Sequence, residues 1–278
     1  MSTKDKKTAR LRLDRFLAGS GISPSPEKAK SKIIAGWVRI NGETVRDPAR
    51  NITGTEKIEV ERPGGLYVSR GGEKLDRALE LFGIKLDGLI VLDLGASTGG
   101  FTDCMLKRGA AKVYAVDVGY NQLDYSLRTD RRVVVMEKTH ARDIRPEMFS
   151  EGINFFTADL SFISILKVLP ELYETFNCIE GVVLIKPQFE AEPDQHEKGV
   201  VRGIEQHVAI LERVILGIRT TGFNLCGLTY SPIKGPAGNI EFLAYIKKCS
   251  DSASGVSEDL SHFQVKQLVE EAHGALNR

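Results

Sequence analysis

The chain has 278 residues, of which 42% are hydrophobic and 27% charged, with a net charge of +1 at pH 7. That composition excludes the disordered and fibrous classes and leaves room for one sizeable α/β domain with a small companion. The polar, basic opening MSTKDKKTARLR has no apolar segment behind it, and no later run approaches the roughly 18 apolar residues of a membrane helix, so a cytoplasmic protein without a membrane partner is expected.

Charge is unevenly spread. Residues 1–62 hold 14 Lys+Arg against 8 Asp+Glu, whereas the remainder holds 24 against 29. A basic head on an acidic body is the footprint of a polyanion-binding module joined to something else. The four cysteines, Cys104, Cys178, Cys226 and Cys249, are widely spaced and form no CxxC pair, which suggests neither a zinc site nor a disulfide framework, and no metal is expected.

In the head, RLRLDRFLAGSGI puts Leu11, Leu13, Phe16 and Leu17 on one helical face that ends at the Gly19–Gly21 break. A second helix begins near Ser25, with Ser25 as cap, Pro26 in the first turn and Glu27 at the positive end of the dipole. Ala29, Ile33 and Ile34 face inward in this reading, and Lys28, Lys30 and Lys32 outward. WVRING and EKIEVE read as short strands joined by turns at Asn41-Gly42 and Asp47-Pro48. This helix, helix, hairpin stretch resembles the α-L RNA-binding domain of the ribosomal protein S-four type. The resemblance implies that Arg10, Arg12, Arg15, Lys28, Lys32 and Arg39 face a folded RNA, mainly its phosphates, with Trp37 holding the hairpin. ERPGGLYVSRGGEK, with two glycine pairs and a proline, marks a mobile join.

GLIVLDL is an apolar run of strand length, GASTGGFTDCMLKRGA supplies a turn and a helix whose inward face is Phe101, Cys104, Met105 and Leu106, and KVYAVDV is the next strand. Asp117 follows Gly95 at the distance where a doubly wound fold places an acid on a ribose. A dinucleotide is disfavoured: Ser97 occupies the position of the second glycine of a GxGxxG turn, and Asp93 would repel a pyrophosphate. DLGASTGGF resembles the S-adenosylmethionine (SAM) loop of Rossmann-type methyltransferases. The resemblance puts Asp93 near the methionine ammonium, Asp117 and Val118 by the ribose, Asp143 by the adenine, and Gly95, Ser97, Thr98, Gly99, Gly100 and Phe101 around the cofactor. Further strands are expected at 133–137, before Asp159 and before Lys186, completing a Rossmann-like α/β domain with charged residues at the ligand-binding ends of its strands.

Methyl transfer to a ribose hydroxyl needs help removing the proton, from a lysine tuned by burial and by neighbouring acids. Lys74, Asp159, Lys186 and Glu241 fit such a set, and their order and surroundings resemble the Lys-Asp-Lys-Glu tetrad of the FtsJ-like ribose 2′-O-methyltransferases. With YVSRGGEKLDRAL, DLSFISI, IKPQFE and KGVVR, the chain is similar over residues 10 to about 248 to the TlyA family of rRNA methyltransferases, also labelled hemolysins. The resemblance implies SAM as cofactor, a 2′-O-methylcytidine product in ribosomal RNA within ribosomal subunits, Lys186 as base, Asp159 and Lys74 as its tuners, and Glu241 beside the ribose. It also implies an RNA-binding domain over 10–62, a linker over 63–73, a methyltransferase domain over 74–250 and a helical tail over 251–278. His140 and Gly203 depart from the family pattern, near the adenine side and at a helix cap. Arg128, Arg131 and Arg132 could meet RNA or solvent. A ribosome-assembly factor with a vestigial body and, last, a hemolysin remain the rival readings.

Overall fold

The computed structural model describes residues 11–60, 66–177, 179–192, 199–248 and 260–277. In the head, β1 (Leu11–Arg12) is followed by α1 (Leu13–Gly19), α2 (Pro26–Ile34), β2 (Val38–Ile40), β3 (Glu43–Val45), β4 (Asn51–Ile52) and β5 (Ile58–Val60). The Ser25 hydroxyl accepts from Lys28 N at 3.2 Å and caps α2, as its sequence position predicts. Three details differ from the sequence reading. Leu11 is not helical but pairs with Ile52 across β1 and β4. The expected hairpin is a three-stranded sheet, because Asn41-Gly42 turns β2 directly into β3 while β5 takes the other edge of β2. Ile34 leaves the head core of Leu13, Leu17, Ala29, Ile33, Val38, Ile40, Val45 and Ile52 and lines a cavity against the body instead.

The glycine-rich join is anchored over its second half. Tyr67 and Val68 are buried, Val68 N donates to Asp103 Oδ2 at 2.7 Å, and α3 (Gly71–Leu81) has begun before residue 73. Residues 61–65 lie outside the described residues.

The body alternates β6 (Ile90–Leu94), α4 (Gly100–Lys107), β7 (Lys112–Asp117), α5 (Tyr125–Arg128), β8 (Val133–Glu137), β9 (Phe155–Ala158), α6 (Leu169–Thr175), β10 (Ile179–Ile185), α7 (Pro187–Glu190), α8 (Ile204–Thr221), β11 (Asn224–Tyr230), β12 (Phe242–Lys248) and α9 (His262–Leu276). Its seven-stranded sheet runs β11-β12-β10-β9-β6-β7-β8, parallel from β10 to β8, with β12 antiparallel to both of its neighbours. Successive residues of a strand face opposite sides. Leu92, Leu94 and Phe156 therefore join the core beneath α8 and α9, while Val91, Phe155 and Val182 join the one beneath α3 and α4. Apolar residues on both faces are what a covered parallel sheet requires. Among the described residues no helix is long and apolar enough to cross a membrane.

Candidate active site

The C-terminal ends of β6, β9 and β10 meet the N-terminal end of β12 along one edge of the sheet, because β12 runs antiparallel to β10. That reversal sets Glu241, the residue before β12, beside Asp159 and Lys186, the residues after β9 and β10, and α3 brings Lys74 over the same edge. All four line one cavity of about 160 Å³. Lys186 Nζ lies 2.5 Å from Asp159 Oδ1, and Lys74 Nζ lies 2.5 Å from Glu241 Oε2. Ser161 accepts a further hydrogen bond from Lys186 Nζ at 3.0 Å. Glu190 holds the loop that carries Ser161: its carboxylate accepts from Ser164 Oγ at 2.6 Å and from Ile165 N at 2.8 Å.

The electrostatics of the site set burial against neighbouring charge. Burial pushes the Lys74 amine down, but Glu241 and Asp159 outweigh it and hold the group above the ordinary lysine range. Lys74 is therefore held as a cation by its two acidic neighbours. Burial likewise pushes the Asp159 carboxyl up, and Lys186 and Lys74 overcome it and hold the group below its usual range. Glu241 Oε1 is buried and has no hydrogen-bond partner among the described residues.

The turn after β6 lies across the same cavity. Gly95 has φ +84° and packs onto the backbone carbonyl of Asp159, where any Cβ would collide. Ser97, at φ +48°, donates its backbone N–H to Asp117 Oδ2 at 2.7 Å, and Gly119 N donates to Asp117 Oδ1 at 2.6 Å. The half-buried Asp117 thus clamps the turn to the end of β7. Thr98, Gly100 and Phe101 line the cavity with Gly95 and Ser97, while Gly99, at φ +95°, caps α4. Val118 is exposed just beyond β7, and Asp143 is exposed on the short 3-10 turn Ala141–Asp143 that follows the exposed His140.

Asp93 sits differently from the expectation. It does not line the cavity: the side chain is fully buried below the turn, accepting from Thr102 Oγ1 at 2.6 Å and from Thr157 Oγ1 at 2.9 Å. Burial pushes its carboxyl up to about 6. With no exposed surface and an oxygen bonded to each threonine, Asp93 is not presented to the cavity, where the resemblance would have it meet an ammonium. Asp93 instead ties β6, α4 and β9 together.

The head's expected RNA contacts are dispersed. Arg15 and Arg39 are exposed, Arg12 is paired with Asp14 at 2.6 Å, Lys28 and Lys32 line a second cavity with Trp37 and Tyr125 between head and body, and Arg10 lies outside the described residues. Arg128 is ion-paired with Glu137 and Arg132 with Asp130, whereas Arg131 is exposed. The sequence reading missed Ser161, the two threonines on Asp93, and Phe162. Phe162 has φ +65°, is 90% exposed, and packs 5.1 Å from the Phe189 ring beyond Lys186. An exposed aromatic directly after the Asp-Leu-Ser that follows β9 was the available signal.

The chain matches the FtsJ-like methyltransferase model over residues 67–248 and the S4 domain model over 11–58. It is 48% identical over 238 residues to hemolysin A of Brachyspira hyodysenteriae, covering 84% of this chain and 99% of that one. It is 40% identical over 267 residues to the 16S/23S rRNA (cytidine-2'-O)-methyltransferase TlyA of Mycobacterium tuberculosis, covering 93% of this chain and 98% of that one. A solved structure from Streptococcus thermophilus, described as a hemolysin, superposes with a TM-score of 0.74 at 39% identity, covering 97% of this chain and 98% of that one. The chain belongs to the FtsJ-like methyltransferases, carries an S4 domain ahead of that fold, and has relatives named TlyA and hemolysin A.

Proposed function

We propose that the protein is a SAM-dependent methyltransferase that modifies the 2′-hydroxyl of a cytidine in ribosomal RNA. The observation that carries this reading is the pair of ion pairs Lys186–Asp159 and Lys74–Glu241 at the mouth of the glycine turn, in a chain whose relatives include rRNA cytidine-2′-O-methyltransferases. The turn suits the cofactor because Gly95 lets it pack closely against the end of β9, its neighbours line the cavity, and Asp117 stands at the end of β7. Gly95, Ser97, Thr98, Gly99, Gly100 and Phe101 would cradle it, with Asp117 and Val118 toward its ribose and Asp143 toward its adenine. When bound, SAM supplies an electrophilic methyl group on a sulfonium.

The chain's own residues handle the substrate proton. Lys186 takes the proton from the 2′-hydroxyl, Asp159 and Ser161 hold its Nζ in place, and Lys74 remains a cation that fixes Glu241. The unpartnered Oε1 of Glu241 is the acceptor left for a substrate hydroxyl. General-base assistance of this kind contributes roughly 10²- to 10⁴-fold. Arg15, Arg39, Lys28 and Lys32 on the head bind RNA phosphates, and Phe162 offers a face on which an unstacked base can rest.

The test is transfer of labelled methyl from SAM to purified small subunits, large subunits and naked rRNA from cells lacking the protein, with Lys186→Ala as control. Label on a ribose with the wild type and not with the variant is the expected result. SAM binding without label on any of the three RNAs would refute the enzyme and favour an assembly factor.

A further inference from the structure

Five cations line the catalytic cavity: Arg46, Arg70, Lys74, Lys186 and Lys234. Three of them are committed, Lys74 to Glu241, Lys186 to Asp159, and Lys234 to Asn277 Oδ1 at 2.7 Å. The other two are arginines from different domains. Arg46 follows β3 in the head, and Arg70 is the N-cap residue just before α3 in the body. Among the described residues neither guanidinium makes an ion pair or a side-chain hydrogen bond, and the exposed Glu73 attracts Arg46 only from beyond ion-pair distance.

Arg46 is half-buried and set by its neighbours. Its guanidinium lies over Gly36, with Nη2 2.8 Å from where a Cβ on that residue would be, and Gly36 itself needs its φ of +80°. Burial and the nearby Arg70 both act against its charge. Holding two like charges together at a partly desolvated rim is unfavourable unless an anion completes the arrangement. Guanidinium groups are suited to that anion being a phosphate, which they grip with two parallel N–H donors. Every internal ribose 2′-oxygen in RNA stands next to a phosphodiester on the adjacent ring carbon. A cavity that takes the ribose therefore brings a phosphate to the same rim.

We propose that Arg46 and Arg70 form an interdomain clamp for one RNA phosphodiester beside the ribose presented to Lys186, so that the head contributes a residue to the substrate site of the body. The clamp deepens the functional reading above and rests on it. It also gives the head a second task besides general RNA affinity: it closes one wall of the cavity with Ile34, Ala35 and Arg46.

The experiment uses the full chain and its Arg46→Met, Arg46→Lys and Arg70→Met variants. It measures thermal melting without RNA, binding to purified subunits and naked rRNA across a salt series, and KM and kcat for methyl transfer. Each Met variant is expected to melt no lower than the wild type, because like-charge repulsion is relieved. Each is expected to bind the RNA about 10-fold more weakly, to lose about one unit from the salt slope of log K, and to raise KM more than it lowers kcat. Arg46→Lys is expected to keep the salt slope while losing several-fold in affinity, since the charge stays and the fork goes. A lower melting temperature or an unchanged salt slope in Arg46→Met overturns the clamp, leaving Arg46 as a residue that merely docks the head. A wild type that methylates RNA with the same KM as Arg46→Met sinks the clamp and keeps the enzyme. Arg46-dependent binding with no methyl transfer to any RNA sinks the enzyme and keeps the anion site.

Discussion

Replacing Asp93 by asparagine should make the protein more stable at neutral pH, against the usual expectation for a buried residue next to a cofactor loop. The carboxyl is fully buried and is pushed from an ordinary 3.8 to about 6. Between those two values the unfolded chain has released the Asp93 proton and the folded chain still holds it, so the wild type loses stability as pH rises from about 4 to about 6 and stays level above. A displacement of that size corresponds to about 3 kcal/mol. Asparagine keeps the shape and has no proton to lose. One threonine hydroxyl must then turn from donor to acceptor toward the amide, a rearrangement of about 1 kcal/mol. The assay is urea unfolding of both proteins at intervals from pH 4 to pH 8, read as the difference between them. The difference is needed because His207, pushed down to about 4 by burial, contributes the opposite slope over part of the same range and is present in both proteins. The variant should gain about 3 kcal/mol relative to the wild type across the window. A difference that does not change with pH would refute the argument and mean that the two threonine hydroxyls fully offset the burial of the charge.

Lys74→Met leaves Glu241 buried without its cation and is expected to cost about 3–5 kcal/mol in urea unfolding. Adding Glu241→Gln should recover part of that loss, and a strictly additive double variant would show that the pair is not coupled. Gly95→Ala drives a Cβ into the Asp159 carbonyl at a φ of +84°. SAM affinity measured by calorimetry should fall at least 10-fold, a loss of about 1.4 kcal/mol or more, while RNA binding by the head persists. Phe162→Ala removes an exposed ring and should change stability by less than about 0.5 kcal/mol. Its affinity for ribosomal subunits should nonetheless fall by about 1–3 kcal/mol in filter binding, the contribution of one base stack.

Much of this architecture was legible in the residues because local rules and the global fold agree. The run IVLDL, a glycine turn and a following helix leave little choice but a strand, a cofactor loop and a crossover. Ser25-Pro26-Glu27 could announce the start of α2 because capping is decided within four residues. What escaped depends on contacts between segments far apart in sequence. Nothing within the chain segment around Asp93 shows that Thr157, 64 residues later, turns its carboxylate under the loop. Leu11 fits a helical face by spacing, yet Ile52 draws it into a strand. Whether the Lys74 amine is raised or lowered likewise depends on two acids from distant parts of the chain, and burial alone points the wrong way. Arg46 carried no signal at all, since its importance lies in where the head sits.

Strand β12 lies between β10 and β11 although it is made after both. A chain leaving the ribosome grows from its N-terminus, so β11 has no sheet neighbour until β12 emerges and slots in beside β10, bringing Glu241 to a lysine made 167 residues earlier. Until then Lys74 has no Glu241 to pair with, and the wall of the cavity that Glu241 supplies is missing. Synthesis therefore times the site: the growing polypeptide builds the parallel half of the sheet first, and the catalytic centre closes only once β12 has been made.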